Sequence, residues 1–151
     1  MRKFFFDDVR TPPDETWVLA KDVPEAKKVM SEQVFDVMSL DHDIGFQLVC
    51  PECYEKLKEK VQSFENFEEF EEKLSKECPH YQHGTQLANW MVENIKEWPK
   101  LIIIHSANWY GARRMEGLLK PFTDVRVIRH DLCLYNAIKC ELLPKIRTDQ
   151  T

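Results

Sequence analysis

The sequence lacks any apolar run approaching the ~20 residues of a bilayer-spanning helix, so no membrane association is expected. It also lacks a secretory signal core: Arg2, Lys3 and Phe4 to Phe6 open like one, but Asp7 and Asp8 interrupt the apolar stretch. An excess of positive charge is missing too. With 21 Lys and Arg against 26 Asp and Glu, the net charge is -5, which argues against bulk binding of duplex DNA and leaves room only for a local basic pocket. No internal repeat is present. Without an export signal, a reducing cytoplasm is the expected compartment, and metal ligation or simple burial is the expected fate of the five cysteines.

What is there reads as one globular domain over residues 1–151, with 43% hydrophobic and 31% charged residues. Four segments rich in Val, Ile, Phe or Trp read as strands, at 3–6 (KFFF), 16–20 (TWVLA), 35–40 (FDVMSL) and 101–106 (LIIIHS); DVRVIR at 124–129 is a fifth. Helical patterns separate them. VPEAKKVMSEQ has Pro24 suited to a first turn, GTQLANWMVENIKEW places Leu87, Met91 and Ile95 on one stripe, and GARRMEGLLKPF stops at Pro121. Alternating strands and helices predict an α/β domain with a mainly parallel five-stranded sheet. The tail IRTDQT is polar and expected to fray.

An insertion at about 46–83 breaks this rhythm. Leu57, Val61, Phe64, Phe67 and Leu74 make a rough helical stripe among Glu and Lys, which predicts an amphipathic helix or hairpin, with an acidic surface for a protein partner as the lesser reading. Cys50 and Cys53 form a Cys-x2-Cys pair, and Cys78, His80 and His83 close the other end. Four of these five suffice for a tetrahedral Cys3His site, which suits structural Zn2+; the sequence does not choose between His80 and His83. Such an ion would clip together an insertion too small for its own core. Cys133 and Cys140 read as buried, inert thiols.

Ligands of open α/β sheets gather at the carboxyl ends of the strands, and here those ends carry the chemistry. Strand one ends in Asp7 and Asp8, strand three in Asp41, His42 and Asp43, strand four in His105, Ser106 and Asn108, and strand five in Arg129, His130 and Asp131. Each has a plainer explanation. Asp7 or Asp8 would cap a turn, Asp43 would close one at Gly45, His130 would be a surface residue, and Asn108 would cap the next helix. Taken together, parallel strands would bring these residues to one pocket. His42 and His105 would then act as general base and acid, with Asp41 and Asp43 beside them, as opening or hydrolysing a phosphodiester requires. Ser106, Asn108, Arg113 and Arg114 would hold phosphate oxygens, while Asp7, Asp8 and Asp41 would bind Mg2+ or Mn2+.

The segments FFFDDVRTPPDETWVLA, VMSLDHDIG, GTQLANWM and IIIHSANWYGARRM resemble the cyclic-phosphate-processing receiver-like domains, a divergent branch of the response-regulator receiver fold. LDHD followed by HSAN is the specific part of the match, which covers most of the chain outside the insertion. The resemblance implies a flavodoxin-like three-layer α/β sandwich acting on cyclic phosphate ends of nucleotides or RNA. It maps Asp7 and Asp8 onto the family's acidic pair, Asp41, His42 and Asp43 onto LDHD, and His105, Ser106 and Asn108 onto HSAN. An ordinary phosphoacceptor receiver would use Asp7, Asp8, Asp41 and Ser106, but it would also need a Lys after strand five, where Arg129 and His130 stand. The first connection, DVRTPPDE, is too short for a full helix and predicts a direct turn from strand one into strand two.

These readings give a metal-supported phosphoesterase that hydrolyses a cyclic phosphate in a nucleotide or RNA terminus. The alternatives are a noncatalytic module binding a nucleotide or protein, and a degenerate receiver phosphorylated on Asp41.

Overall fold

Aromatic and β-branched residues packed into short runs give the strands of a computed structural model that describes residues 1–44, 50–63, 67–78 and 80–128. The strands are β1 (Lys3–Phe6), β2 (Trp17–Ala20), β3 (Val37–Leu40), β4 (Leu101–His105) and β5 (Asp124–Ile128), in the order β2-β1-β3-β4-β5. Every pairing is parallel, with Phe5 aligned to Leu19 and Ser39, and Ser39 aligned to Ile103. All five runs were legible from composition. Gly45, Phe64, Arg129, His130, Asp131, Cys133, Cys140 and the polar tail lie outside the described residues.

The helices are α1 (Val23–Glu32), α2 (Pro51–Lys60), α3 (Phe67–Glu77), α4 (Gly84–Asn94) and α5 (Trp109–Leu119), with a 3-10 turn at Val61–Ser63. Together with the parallel sheet they make a receiver-like α/β fold. No helix of the described residues is long and apolar enough to cross a membrane. The chain divides into two compact units, Met1–Ile44 with Gln82–Asp131, and Gly45–Tyr81 with Leu132–Thr151.

In the first unit the chain runs from β1 to β2 without a helix, as the two prolines of the connection require. The crossovers through α1, α4 and α5 all carry the chain in the same direction across the sheet, the first passing over β1 to reach β3 and the other two reaching the neighbouring strand, and right-handed connections then put all three helices on one face. Their inward residues, among them Ala26, Met30, Leu87, Met91, Ala112 and Met115, share one core with Phe4, Phe6, Met38, Leu40, Ile102 and Ile104. The alternate strand residues Phe5, Ser39, Ile103 and His105 point the other way. Each helix starts on a side-chain cap: Asp22 accepts from the Glu25 N–H, His83 from Gln86, and Asn108 from Gly111. The run predicted to extend to Trp98 leaves the helical region at Ile95, where ψ is 126°.

In the second unit, α2, the 3-10 turn and α3 bury Tyr54, Leu57, Val61, Phe70 and Leu74, which include three of the five predicted stripe residues. The outward side carries the i,i+4 pairs Glu72–Lys76 at 2.9 Å and Lys73–Glu77 at 3.1 Å, exposed contacts that add little stability.

Candidate functional site

Asp7 leaves the end of β1 almost wholly buried, and its oxygens are crowded with donors. Oδ1 accepts the Val9 and Arg10 backbone N–H groups, each at 2.9 Å, while Oδ2 lies 2.9 Å from His105 Nε2 and 3.1 Å from Arg10 Nη1. Burial alone would raise the carboxyl pKa, but these bonds outweigh it and lower the value from 3.8 to about 2. Asp41, at the end of β3, has the opposite balance. Its Oδ1 accepts the His42 N–H at 2.8 Å, and its Oδ2 is 3.6 Å from Arg10 Nη1. Burial, then the charges of Asp7 and Asp43, hold its pKa well above the usual carboxylate range. Asp7, Asp8 and Asp41 each place an oxygen within 4.8 Å of the others, so the predicted acidic trio is brought together.

His42 has no exposed surface. Its Nδ1 is 2.8 Å from Asp43 Oδ1, and its Nε2 is 3.1 Å from Thr85 Oγ1 in the first turn of α4. Asn108 Nδ2 donates to the same Asp43 oxygen at 2.8 Å. Two glycines make this packing feasible. A Cβ on Gly111 would lie 2.5 Å from the His42 ring, and one on Gly84 would collide with the Asp41 carbonyl oxygen. The His83 ring stacks on His42 with centroids 5.2 Å apart. Its Nδ1 accepts the Gln86 N–H in a capping box, and burial, with the charges of His42 and Arg114, lowers its pKa to about 3.

His105, at the end of β4, stacks on Phe5 with centroids 4.7 Å apart. Because Asp7 is ionised, Nε2 carries the proton of their shared bond, and Nδ1 faces Ser39 Oγ at 2.6 Å. Both imidazoles are therefore buried, with each ring nitrogen bonded to another side chain. Ser39 and Thr85, the hydroxyls that complete these arrays, were not among the predicted site residues. Neither was Arg10. A lone serine inside an apolar strand was a signal for the first, since a buried hydroxyl needs a partner.

The predicted phosphate-holding residues divide. Asn108 is the helix cap that its sequence position also allowed, with Oδ1 on the Gly111 N–H at 2.9 Å. Ser106 Oγ accepts the Asn108 N–H at 3.1 Å, so both residues build the β4–α5 loop. Arg113 is exposed on α5, lies over the Trp109 ring and pairs with Glu116 at 3.6 Å; no contact with the acidic trio is seen among the described residues.

In the second unit, Cys50, Cys53 and Cys78 bring their sulfurs within 4.8 Å of one another, a set that could hold a metal ion. Neither His80 nor His83 joins this cluster. The Cys53 backbone bond and the neighbouring thiols lower the Cys50 pKa, while bonds with Cys50 and then Cys78 raise that of Cys53 to about 12. Three thiols this close ionise together only when a cation offsets the accumulating charge.

None of the curated proteins compared with the chain matches it. Residues 2–121, which hold the first four strands, the acidic trio and the buried rings of His42 and His105, match the profile of the cyclic-phosphate processing receiver domain. This covers most of the sequence, and the chain belongs to that family.

Proposed function

We propose that the chain is a phosphoesterase that hydrolyses a cyclic phosphate in a nucleotide or at an RNA terminus. The main support is one juxtaposition: the oxygens of Asp7, Asp8 and Asp41 gather at the strand edge that also holds His42 and His105, each bonded to a carboxylate. An all-oxygen donor set suits a hard cation such as Mg2+ or Mn2+. When bound, that cation would offset phosphate charge and acidify the attacking water.

Asp43 accepts from His42 Nδ1 and leaves Nε2 to exchange a proton. Thr85 now occupies Nε2, so a substrate oxygen or water has to take the place of its hydroxyl. His105 is committed to Asp7 through Nε2 and exchanges a proton through Nδ1 only when Ser39 yields, which gives His42 the larger share of proton transfer. Arg113, with an exposed guanidinium, would meet nonbridging oxygens at the rim, and Ser106 and Asn108 would keep the loop in place. For the cysteine cluster the reading is structural Zn2+. His80 is the better fourth ligand, because His83 spends Nδ1 on its helix cap.

The test is conversion of cyclic to linear phosphate by the wild type and its variants. His42→Ala should lower turnover by about 10² to 10⁴ while circular dichroism stays unchanged, and His105→Ala should lower it as well. Full activity in both would remove the acid-base assignment. One observation favours a noncatalytic binding module instead: every ring nitrogen of the two histidines already has an internal partner. That reading predicts saturable binding of a cyclic nucleotide with no product, and His42→Ala would change affinity alone.

A further inference from the structure

Asp7 is fully subscribed. Its two oxygens offer about four lone-pair sites, and four donors fill them: two backbone N–H groups on Oδ1, His105 Nε2 and Arg10 Nη1 on Oδ2. A cation can reach this carboxylate only by displacing one of them. The backbone donors are fixed by the turn at Val9 and Arg10, and His105 is held between Phe5 and Ser39. That leaves the Arg10 guanidinium. Its side chain is 37% exposed, against 0% for Asp7 and 5% for Asp41, so it enters from the rim and has space to withdraw. Its Nη1 also lies 3.6 Å from Asp41 Oδ2, so the one nitrogen bridges two carboxylates of the acidic trio.

We propose that Arg10 is a resident cation of the acidic pocket, and that a divalent ion exchanges with it. On exchange, Arg10 swings to the rim and pairs with the phosphate. The inference rests on the assignment of a divalent cation to Asp7, Asp8 and Asp41. Two like charges do not share Asp7 Oδ2, so entry of the ion expels the guanidinium; a planar fork released beside a bound cation then matches phosphate oxygens geometrically. The positive charge of Arg10 thus works against the ion before exchange and for the phosphate after it.

Opposite signs make this testable without turnover. Mn2+ binding to the full chain is followed by electron paramagnetic resonance, and orthophosphate binding to the Mn2+-loaded protein by paramagnetic relaxation of its 31P signal. Arg10→Gln should bind Mn2+ roughly five- to tenfold more tightly, and orthophosphate more weakly by a similar factor. Arg10→Lys, which keeps the charge, should hold Mn2+ affinity near that of the wild type. Unchanged or weaker Mn2+ binding in a folded Arg10→Gln protein overturns the exchange, and unchanged orthophosphate binding overturns the role of the released guanidinium. Absence of Mn2+ binding in both proteins overturns the divalent-cation assignment along with it.

Discussion

At Asp7, burial and hydrogen bonding pull in opposite directions, and the number of donors decides the outcome. The folded pKa lies near 2 against an ordinary 3.8, so the ionised carboxylate stabilises the fold above about pH 4, and that contribution is lost as the pH falls toward 2. Asp7→Asn should flatten the decline in unfolding free energy over that window, measured by urea titration at a series of pH values. An unchanged slope would place the acid sensitivity elsewhere. At this scale the sequence showed which residue types stand at the strand ends, because ionisable groups after an apolar run are conspicuous. It did not show how their partners are shared. Arg10, Ser39 and Thr85 reach Asp7, His105 and His42 through contacts that span 3, 66 and 43 positions, and only the first is local.

Among the elements, the two helix starts flanking His42 carry the most strain-sensitive packing. His83 caps α4 as a neutral imidazole with its pKa lowered to about 3. The unfolded chain binds a proton there near pH 6.5 and the folded chain does not, so stability is complete above that pH and falls as the pH drops from about 6.5 toward 3. His83→Asn keeps a capping side chain and removes the titration, so thermal unfolding of the variant should lose less between pH 6.5 and 4 than the wild type does. Gly111 makes the complementary case in α5. Gly111→Ala gains helix propensity yet meets the His42 ring, and a net loss of about 1–3 kcal/mol in unfolding free energy is expected. A gain of stability would mean that the ring moves aside freely. The strands were legible because parallel, buried strands need little more than apolar β-formers. The α4 boundary was less so: apolar spacing continues through Ile95, but the helix ends at Asn94, whose side chain bonds the Trp90 carbonyl at 2.8 Å.

For the whole molecule, the sheet with its helices and the cysteine-bearing unit pose separate questions. The first is a receiver-like unit whose family membership ties it to cyclic-phosphate processing. The described residues of the second include a modest set of buried side chains and three clustered thiols, so a bound ion would contribute directly to its folding. Elemental analysis should find about one zinc per chain, and Cys53→Ser should lower both zinc content and melting temperature. Wild-type stability without the metal would separate the cluster from the fold. The Cys-x2-Cys pair was readable as a metal signal, whereas the choice of a fourth ligand was not, because spacing alone cannot reveal that His83 is already engaged by a helix N-terminus.

The most direct measurement is mass analysis of the products formed from a panel of cyclic nucleotides and RNA-terminal cyclic phosphates in 18O-labelled water with Mn2+. The account predicts a linear phosphate carrying one heavy oxygen, formed by the wild type and strongly reduced in His42→Ala. Folded, Mn2+-loaded protein that binds these ligands but releases no labelled product would contradict it.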